Sequence, residues 1–359
     1  MNKQTTLVLD HRQIVQTIER VGIDRFMSVL IDRLEAAFAE FSDGEYDVPV
    51  RSGFHYHKPV TGLVEWMPLH HKQRAVFLKA VGYHPTNPVD HNLPTVVATF
   101  KQFDPVTGRL IALADGNLLT AMRTGAASAV ATRHLAPRRR ISLGLVGCGA
   151  QAVTQFHAIS QVTEIDHVRV FDIELQNAHS LIDRVAPLNS ARCQIEVTSL
   201  EQLLKASDVI CTATSVEAGE GPVISAPSLK TDVHINAIGS DLPGKTELPV
   251  SLLRDSFVCP DFPLQARVEG ECQQLTEDQI GPALVELVAS PDAFAAAKTR
   301  RSVFDSTGFA LEDFVAMQLI TDYASDFGVG THLEIEGQVS DPFNPYEDLK
   351  RSAFINTIE

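Results

Sequence analysis

The chain predicts an α/β fold: a Rossmann dinucleotide-binding domain joined to a β-rich domain. Three observations predict it. An apolar run over residues 141–146 enters the turn Gly147-Cys148-Gly149-Ala150-Gln151-Ala152. A helical pattern and a second apolar run ending on Asp172 follow, which is the strand–turn–helix–strand unit of a dinucleotide site. From there to about residue 320, short apolar runs alternate with helical patterns, as in a parallel sheet covered by helices. Ahead of this unit, residues 47–114 carry a series of strand-like runs that suggest a separate sheet.

In chain order, residues 6–10 read as a short strand. An amphipathic helix follows, with Phe26, Val29, Leu30, Leu34 and Phe38 at helical intervals, and the polar stretch 42–45 closes it. Candidate strands lie at 48–51, 62–67, 74–81, 95–100 and 109–114, and residues 104–108 form the turn of a hairpin between the last two. Arg51 and Lys79 stand within or at the edge of two of these strands, and each taken alone reads as a solvated surface position. Residues 115–136 read as a helix rich in alanine and other small residues, which permits close approach of another backbone. Arg123 sits in its middle, either as a surface charge on a long stem or as a clamp for a carboxylate or phosphate. Pro137 and the three arginines after it break the helix and set a boundary. Residues 1–136, with 321–359 packing back on them, form one domain, and 137–320 the nucleotide-binding domain. In the second domain, helices are expected at 177–185, 199–206 and 309–323, and strands at 193–197, 208–213, 234–238, 256–259 and 302–305.

The glycine unit has a specific physical reading. Gly147 lets the chain turn sharply out of its strand. Gly149 removes the Cβ that would keep a pyrophosphate away from the backbone, and Ala152 is small enough for helix to pack on strand. The phosphates meet the free N–H groups at the helix start. Asp172, about twenty residues on, can take the ribose hydroxyls and would repel a 2′-phosphate, so the expected cofactor is NAD rather than NADP. The strand at 208–213 ends in Thr214 and Ser215, polar groups at a carboxyl end, where open α/β sheets place ligands. Residues 239–246 match the P-loop pattern literally. That reading is rejected, because Asp241 would repel a triphosphate and Pro243 removes a backbone donor.

The net charge of −15 makes nucleic acid and anionic membrane poor partners, so an anionic substrate must meet local positive charge. Five scattered cysteines, without C-x-x-C spacing, give neither a zinc site nor a disulfide framework, and no metal is expected. The first residues lack a signal-peptide pattern and no apolar run reaches membrane-spanning length, which points to a cytoplasmic protein.

Five stretches carry a likeness to a known family. They are Met122-Arg-Thr-Gly-Ala-Ala-Ser128, the glycine turn 147–151, Asp241-Leu-Pro-Gly-Lys-Thr-Glu-Leu248, Arg267-Val-Glu-Gly-Glu-Cys-Gln-Gln-Leu275, and Phe304-Asp-Ser-Thr-Gly-Phe-Ala-Leu-Glu-Asp313. In order and over most of its length, the chain resembles the ornithine cyclodeaminase/μ-crystallin family, nearest to the bacterial ornithine cyclodeaminases. The resemblance implies that the β-rich domain binds substrate and forms a homodimer. It also implies an NAD-dependent, redox-neutral conversion of L-ornithine to L-proline and ammonia: oxidation at Cα, cyclisation, and re-reduction by the same NADH.

By the family's pattern Asp241 shuttles protons as the catalytic residue, and Arg51, Lys79 and Arg123 hold the substrate carboxylate. Glu65, Met67 and Thr307 line the substrate pocket. Thr95, Arg123, Gly147, Gly149, Ala150, Gln151, Asp172, Thr214, Ile238, Gly239, Ser240, Lys245 and Ser306 form the cofactor set. Glu65 has two readings, a partner for the δ-ammonium or a cross-strand ion pair with Lys79 or Arg51. Asp241 could instead simply cap the segment that follows it. Ser240, Thr307 and Gly82-Tyr83 depart from the pattern expected of the ornithine enzymes, which leaves the amino acid open. Lysine cyclodeaminases, NAD-dependent amino-acid dehydrogenases, imine reductases and the non-enzymatic μ-crystallins are the alternatives within the family.

Overall fold

In the computed structural model, which describes residues 5–41, 44–224 and 228–349, the chain opens with β1 (Thr6–Leu9), α1 (His11–Val21) and α2 (Ile23–Glu40). Asp10 starts α1 with a reciprocal cap: its carboxylate accepts the Gln13 N–H at 2.8 Å, and the Gln13 side chain accepts the Asp10 N–H at 3.0 Å. One helix was expected here. The chain makes two because Gly22, at φ +88°, breaks the run in a conformation that other residues avoid.

There follow β2 (Tyr46–Asp47), β3 (Ser52–Tyr56), β4 (Gly62–His71), β5 (Ala75–Tyr83), a short α3 (Asn87–Asp90), β6 (Val96–Phe103), β7 (Leu110–Asp115) and α4 (Asn117–Leu135). The expected strand at 48–51 is instead the link between β2 and β3. β3 itself is absent from the sequence reading, because three of its five residues are exposed and the other two only half-buried, so apolar alternation is hidden. The second half runs β8 (Arg140–Val146), α5 (Ala150–Ser160), β9 (Glu164–Phe171), α6 (Leu175–Val185), β10 (Gln194–Val197), α7 (Leu200–Ala206) and β11 (Val209–Thr212). It continues with β12 (His234–Ala237), α8 (Val250–Arg254), β13 (Phe257–Pro260), α9 (Pro263–Glu269), α10 (Leu284–Ala289), β14 (Ser302–Asp305), α11 (Ala310–Phe327) and β15 (Thr331–Leu333). Residues 42 and 43 of the expected polar stretch, and 350–359 of the expected tail, fall outside the described residues.

The strands form two sheets. In the first the order is β15-β1-β7-β6-β5-β4-β2, with β3 also on β4. β4 to β7 make an antiparallel meander, β1 joins β7 in parallel, and β15 returns to pair with β1. Residues of β4 and β5 alternate between a buried and a more exposed face, as one-sided strands must. Glu65 and Met67 therefore share the buried face, and Met67 stands opposite Lys79.

The second sheet is parallel throughout, in the order β10-β9-β8-β11-β12-β14-β13. This is the Rossmann arrangement, and its order reverses between β8 and β11. β11, β12 and β14 are buried at every position, as expected of central strands covered on both faces. Helix α4 joins the two halves. It is buried along most of its length, and a Cβ on Gly125 would lie 2.5 Å from the Thr154 carbonyl of α5. The small residues seen in sequence thus serve close helix packing. One apolar core runs from the first sheet through α2, α4 and α11 to Phe304 and Cys259 in the second. Among the described residues, no helix is long and apolar enough to cross a membrane.

Candidate active site

A cavity of about 150 Å3 opens between the two sheets, at the carboxyl ends of the second. The first sheet and the segment leading into it contribute Arg51, Glu65, Met67 and Lys79. Helix α4 contributes Arg123, the first turn of α5 Gln151, the loop after β12 Ile238 and Asp241, and the loop after β14 Ser306 and Thr307. All seven residues assigned to catalysis and substrate binding therefore line one cavity. The Ser306 hydroxyl is buried in this wall with no hydrogen-bond partner among the described residues, a polar group left for a ligand.

Each of the three cations has an acidic partner, and sequence reasoning missed most of these acids. Lys79 Nζ donates to both carboxylate oxygens of Asp313 at 3.1 Å. Arg123 donates from Nε to Asp313 at 2.9 Å and from Nη1 to Glu312 at 2.6 Å. Arg51 Nε lies 2.9 Å from a carboxylate oxygen of Glu269, though out of line for a hydrogen bond, and Arg51 Nη2 donates to the Thr307 carbonyl. Gly308, at φ +94°, lets Arg123 approach: a Cβ there would lie 2.8 Å from the guanidinium. Glu312 and Asp313 stand in the first turn of α11, where acids ordinarily complement the helix dipole; the family likeness covered the stretch that ends on them, but it gave neither a role.

Glu65 is 3.6 Å from Arg51 and 2.9 Å from His55, so of its two suggested cation partners it meets Arg51, while Lys79 is taken by Asp313. Burial, against the pull of Asp313, brings the Lys79 ammonium down to about 7. Burial also pushes Glu269 up to about 7, although Arg51 opposes it. For Arg123, burial works against the charge, but Asp313 and Glu312 outweigh it and hold the guanidinium above the ordinary arginine value.

Asp241 follows β12 and its carboxylate accepts from Lys245 Nζ at 2.9 Å. Lys245 is buried, and burial would lower it, but Asp241 more than compensates and keeps the ammonium above its usual value. The Lys245 ammonium is thus engaged by Asp241, and no helix starts at residues 245–246. The P-loop pattern therefore has no structural counterpart. Asp241 is not the cap of a helix either, since α8 begins only at Val250.

The glycine turn has the geometry of an anion cradle. Gly147 has φ +87°, and a Cβ there would lie 2.6 Å from the Ala213 carbonyl at the point where the sheet order reverses. Gly149 and Ala150 are exposed, a Cβ on Gly149 would meet open space, and the first turn of α5 has no side-chain cap. Unsatisfied N–H groups facing open space fit a pyrophosphate. Asp172 braces this turn, accepting the Cys148 N–H at 2.7 Å and the Glu174 N–H at 2.9 Å. Arg184, unremarked in sequence, donates to the Cys148 carbonyl at 2.5 Å from the other side. Thr214, Gly239 and Ser240 stand at the carboxyl ends of β11 and β12, whereas Thr95 precedes β6 and its carbonyl accepts from His84. Of the cofactor set, Arg123, Gln151, Ile238 and Ser306 line the cavity and Gly147, Gly149 and Ala150 form the turn, whereas Thr95, Thr214, Gly239, Ser240 and Lys245 are not among the lining residues.

Behind the wall lie Glu271 and Asp305, buried carboxyls with no cation among their hydrogen-bond partners. Burial, with Asp305 close by, pushes Glu271 up to about 9, and burial pushes Asp305 up to about 7. Such a group binds its proton more tightly folded than unfolded, so its stabilising contribution is present at low pH and is lost as pH rises through the folded value. Glu271→Gln should therefore gain stability relative to the unsubstituted protein between pH 5 and pH 9, read as urea midpoints at pH 5, 7 and 9. A difference that stays constant, or that moves against the variant as pH rises, would contradict this.

Comparison with known proteins places the chain among relatives over nearly its whole length. The model of the ornithine cyclodeaminase/mu-crystallin family matches residues 11–327. An L-lysine cyclodeaminase of Streptomyces rapamycinicus is 43% identical over 342 residues, covering 95% of this chain and 99% of the relative. A solved structure described as the basis for recognition of L-lysine, L-ornithine and L-2,4-diaminobutyric acid by lysine cyclodeaminase superposes with TM-score 0.91. It is 44% identical and covers 96% of this chain and 99% of its own. An archaeal alanine dehydrogenase dimer with bound NAD superposes with TM-score 0.81 at 28% identity, covering 92% and 99%.

Proposed function

The chain belongs to the ornithine cyclodeaminase/mu-crystallin family, and from that premise we propose that it is an NAD-dependent cyclodeaminase of linear L-α,ω-diamino acids. The observation that carries the reading is the single cavity that joins Asp241 to Arg51, Lys79 and Arg123 beside the dinucleotide turn. L-Lysine is the preferred substrate, giving piperidine-2-carboxylate and ammonia. The 43% identity to an L-lysine cyclodeaminase supports this choice over the L-ornithine expected from sequence. L-Ornithine remains the second reading, supported by the likeness to a lysine cyclodeaminase structure that concerns recognition of both amino acids. The test is kcat/KM for the two substrates: lysine should exceed ornithine, and the reverse order would restore the ornithine assignment.

NAD, when bound, accepts a hydride from Cα and later returns it, so none is consumed. The chain's residues do the rest. Arg51, Lys79 and Arg123 bind the α-carboxylate, and Arg123 also borders the cofactor. Their combined charge favours loss of the α-ammonium proton, which must precede hydride departure. Asp241, steadied by Lys245, takes protons from the attacking ω-amine and gives one to the departing ammonia. The bond from ω-nitrogen to Cα forms, the bond from Cα to the α-nitrogen breaks, and hydride and a proton return to the cyclic imine. Glu65 holds the ω-ammonium on arrival, Met67 and Ile238 supply apolar wall, and Thr307 lies beside the substrate. Gln151, Ser306, Thr214, Gly239, Ser240 and Thr95 border the cofactor, with Gly147, Gly149 and Ala150 at its phosphates.

Asp172 receives the adenosine ribose. Asp172→Ser should raise the Kd for NAD by about tenfold, the weight of one charge-assisted contact, and narrow the preference over NADP. Titration with both dinucleotides checks this, and an unchanged preference would remove Asp172 from the ribose site.

The active species is a homodimer. The outer face of the first sheet exposes Phe54, Val64, Trp66, Val97 and Ile111, an apolar surface of the kind that another protein covers. Phe54 and Trp66 meet edge to face there, 5.6 Å apart. A second copy of this face is the simplest cover. Light scattering should give the mass of two chains, and Trp66→Glu should shift it toward one.

A further inference from the structure

We infer that Glu247 is a positioning residue for this reaction: its carboxylate joins the carboxyl ends of β11 and β12, fixing the cofactor-facing wall and the stem of the loop that carries Asp241. The inference rests on the proposed NAD-dependent reaction. Glu247 is fully buried. One of its oxygens accepts the Thr214 N–H and the Thr214 hydroxyl, both at 2.7 Å. The other accepts the Thr212 hydroxyl at 2.6 Å and the Gly239 N–H at 2.9 Å. None of these four donors belongs to a lysine or arginine, so oriented dipoles hold this carboxylate in place.

Gly239 gives independent support. A Cβ on it would lie 2.3 Å from a Glu247 carboxylate oxygen, so the glycine is required by Glu247. The loop that starts at Gly239 closes on itself above this contact. The Ser240 hydroxyl donates to the Lys245 carbonyl at 2.5 Å, and Lys245 Nζ donates to Asp241 at 2.9 Å. Below it, Glu247 is itself held. Its N–H donates to Glu271 at 2.6 Å, and Asp305 accepts the N–H groups of Glu271 and Cys272, both at 2.8 Å. Asp305 ends β14, and the next two residues, Ser306 and Thr307, line the cavity. Three carboxyl groups in series thus register the ends of β11, β12 and β14 against one another, and Glu247 is the rung nearest the cofactor wall.

A carboxylate that merely stapled the fold would affect melting and nothing else. The experiment therefore measures NAD binding directly, in the full-length protein without amino acid, together with kcat and KM. Glu247→Gln keeps the volume but turns an NH2 toward two donors. Glu247→Asp keeps the charge and retracts it by one methylene, and Gly239→Ala displaces the carboxylate from the opposite side. Folding of each is checked by circular dichroism and thermal melting. For folded Glu247→Gln we expect the NAD Kd to rise at least about tenfold and kcat at saturating NAD to fall by about ten- to a hundredfold, as misplacement on the ångström scale predicts. The amino-acid KM should stay within about threefold, and Glu247→Asp should recover part of the loss. If Glu247→Gln does not fold, the same values are read from the two milder variants. Any folded set whose NAD affinity and kcat stay within about twofold of the unsubstituted protein overturns the inference. If instead the diamino-acid reading fails, the unsubstituted protein binds NAD without turnover, and the two failures remain distinct.

Discussion

Asp241→Asn abolishes turnover and leaves NAD binding intact. The asparagine matches the aspartate in size and still accepts from Lys245, so the loop keeps its shape. What it loses is the ability to take and return a proton. Loss of a positioned acid–base group costs about 10²–10⁴-fold in rate, and this group serves more than one proton transfer in the proposed cycle. The loss should therefore appear in kcat, with the substrate KM and the NAD Kd within about threefold, because the carboxylate-binding cations and the glycine turn are untouched. Lys245, 4% exposed and 2.9 Å away, loses its counter-charge in this variant, so folding is verified by thermal melting before kcat and Kd are compared. Retained activity would remove Asp241 from the chemistry and leave it as a polar lining residue.

Arg123→Met produces the largest loss of stability of any single change in the cavity. The guanidinium bridges Glu312 and Asp313, both fully buried, with contacts at 2.6 and 2.9 Å. Removing one partner of a buried ion pair costs about 3–5 kcal/mol, because the remaining charge has neither water nor a counter-ion. The two acids do not suffer equally. Asp313 retains Lys79, whereas Glu312 has no other cation in contact and burial already pushes it up to about 8, so without Arg123 it must hold a proton and bears most of the cost. Arg123→Met combined with Glu312→Gln should therefore recover a large part of the lost stability, and Arg123→Lys should recover less, since an ammonium cannot reach both carboxylates in the guanidinium's forked geometry. Urea unfolding of the three variants measures this. A loss below about 1 kcal/mol for Arg123→Met would mean that Glu312 takes up that proton at little cost, and the charge balance drawn for the cavity would have to be redrawn.

The residues that sequence reading found share a local signal. Gly147, Gly149 and Asp172 lie within one strand–turn–helix–strand unit, whose spacing alone constrains the chemistry. The central strands were legible because burial on both faces leaves an uninterrupted apolar run, as in β11 and β12. Arg51 and Lys79, each read alone, pointed to solvated surface positions, and the structure corrects this, since Lys79 is fully buried and Arg51 nearly so; only the family resemblance gave them and Arg123 a shared role. Their acidic partners were given none. Lys79 meets Asp313 across 234 positions and Arg123 meets Glu312 across 189, and acids in the first turn of a helix are unremarkable in sequence. Glu247 shares this obscurity, since its partners Thr212, Thr214 and Gly239 arrive from two other strand ends. Strand β3 and the break at Gly22 were missed for a different reason. The first has no apolar alternation to read, and the second interrupts two helices whose apolar patterns run on without a visible gap.

In the proposed reaction the hydride taken from Cα is returned within one catalytic cycle, so NAD acts catalytically. The most direct measurement incubates the purified protein with excess L-lysine and a small, known amount of NAD, following ammonia, the cyclic product and NADH absorbance together. Ammonia and piperidine-2-carboxylate should form in equal amounts, at many equivalents per NAD and without accumulating NADH. NADH rising in step with ammonia would make the protein an oxidising dehydrogenase, and the absence of ammonia from both lysine and ornithine would contradict the cyclodeaminase account altogether.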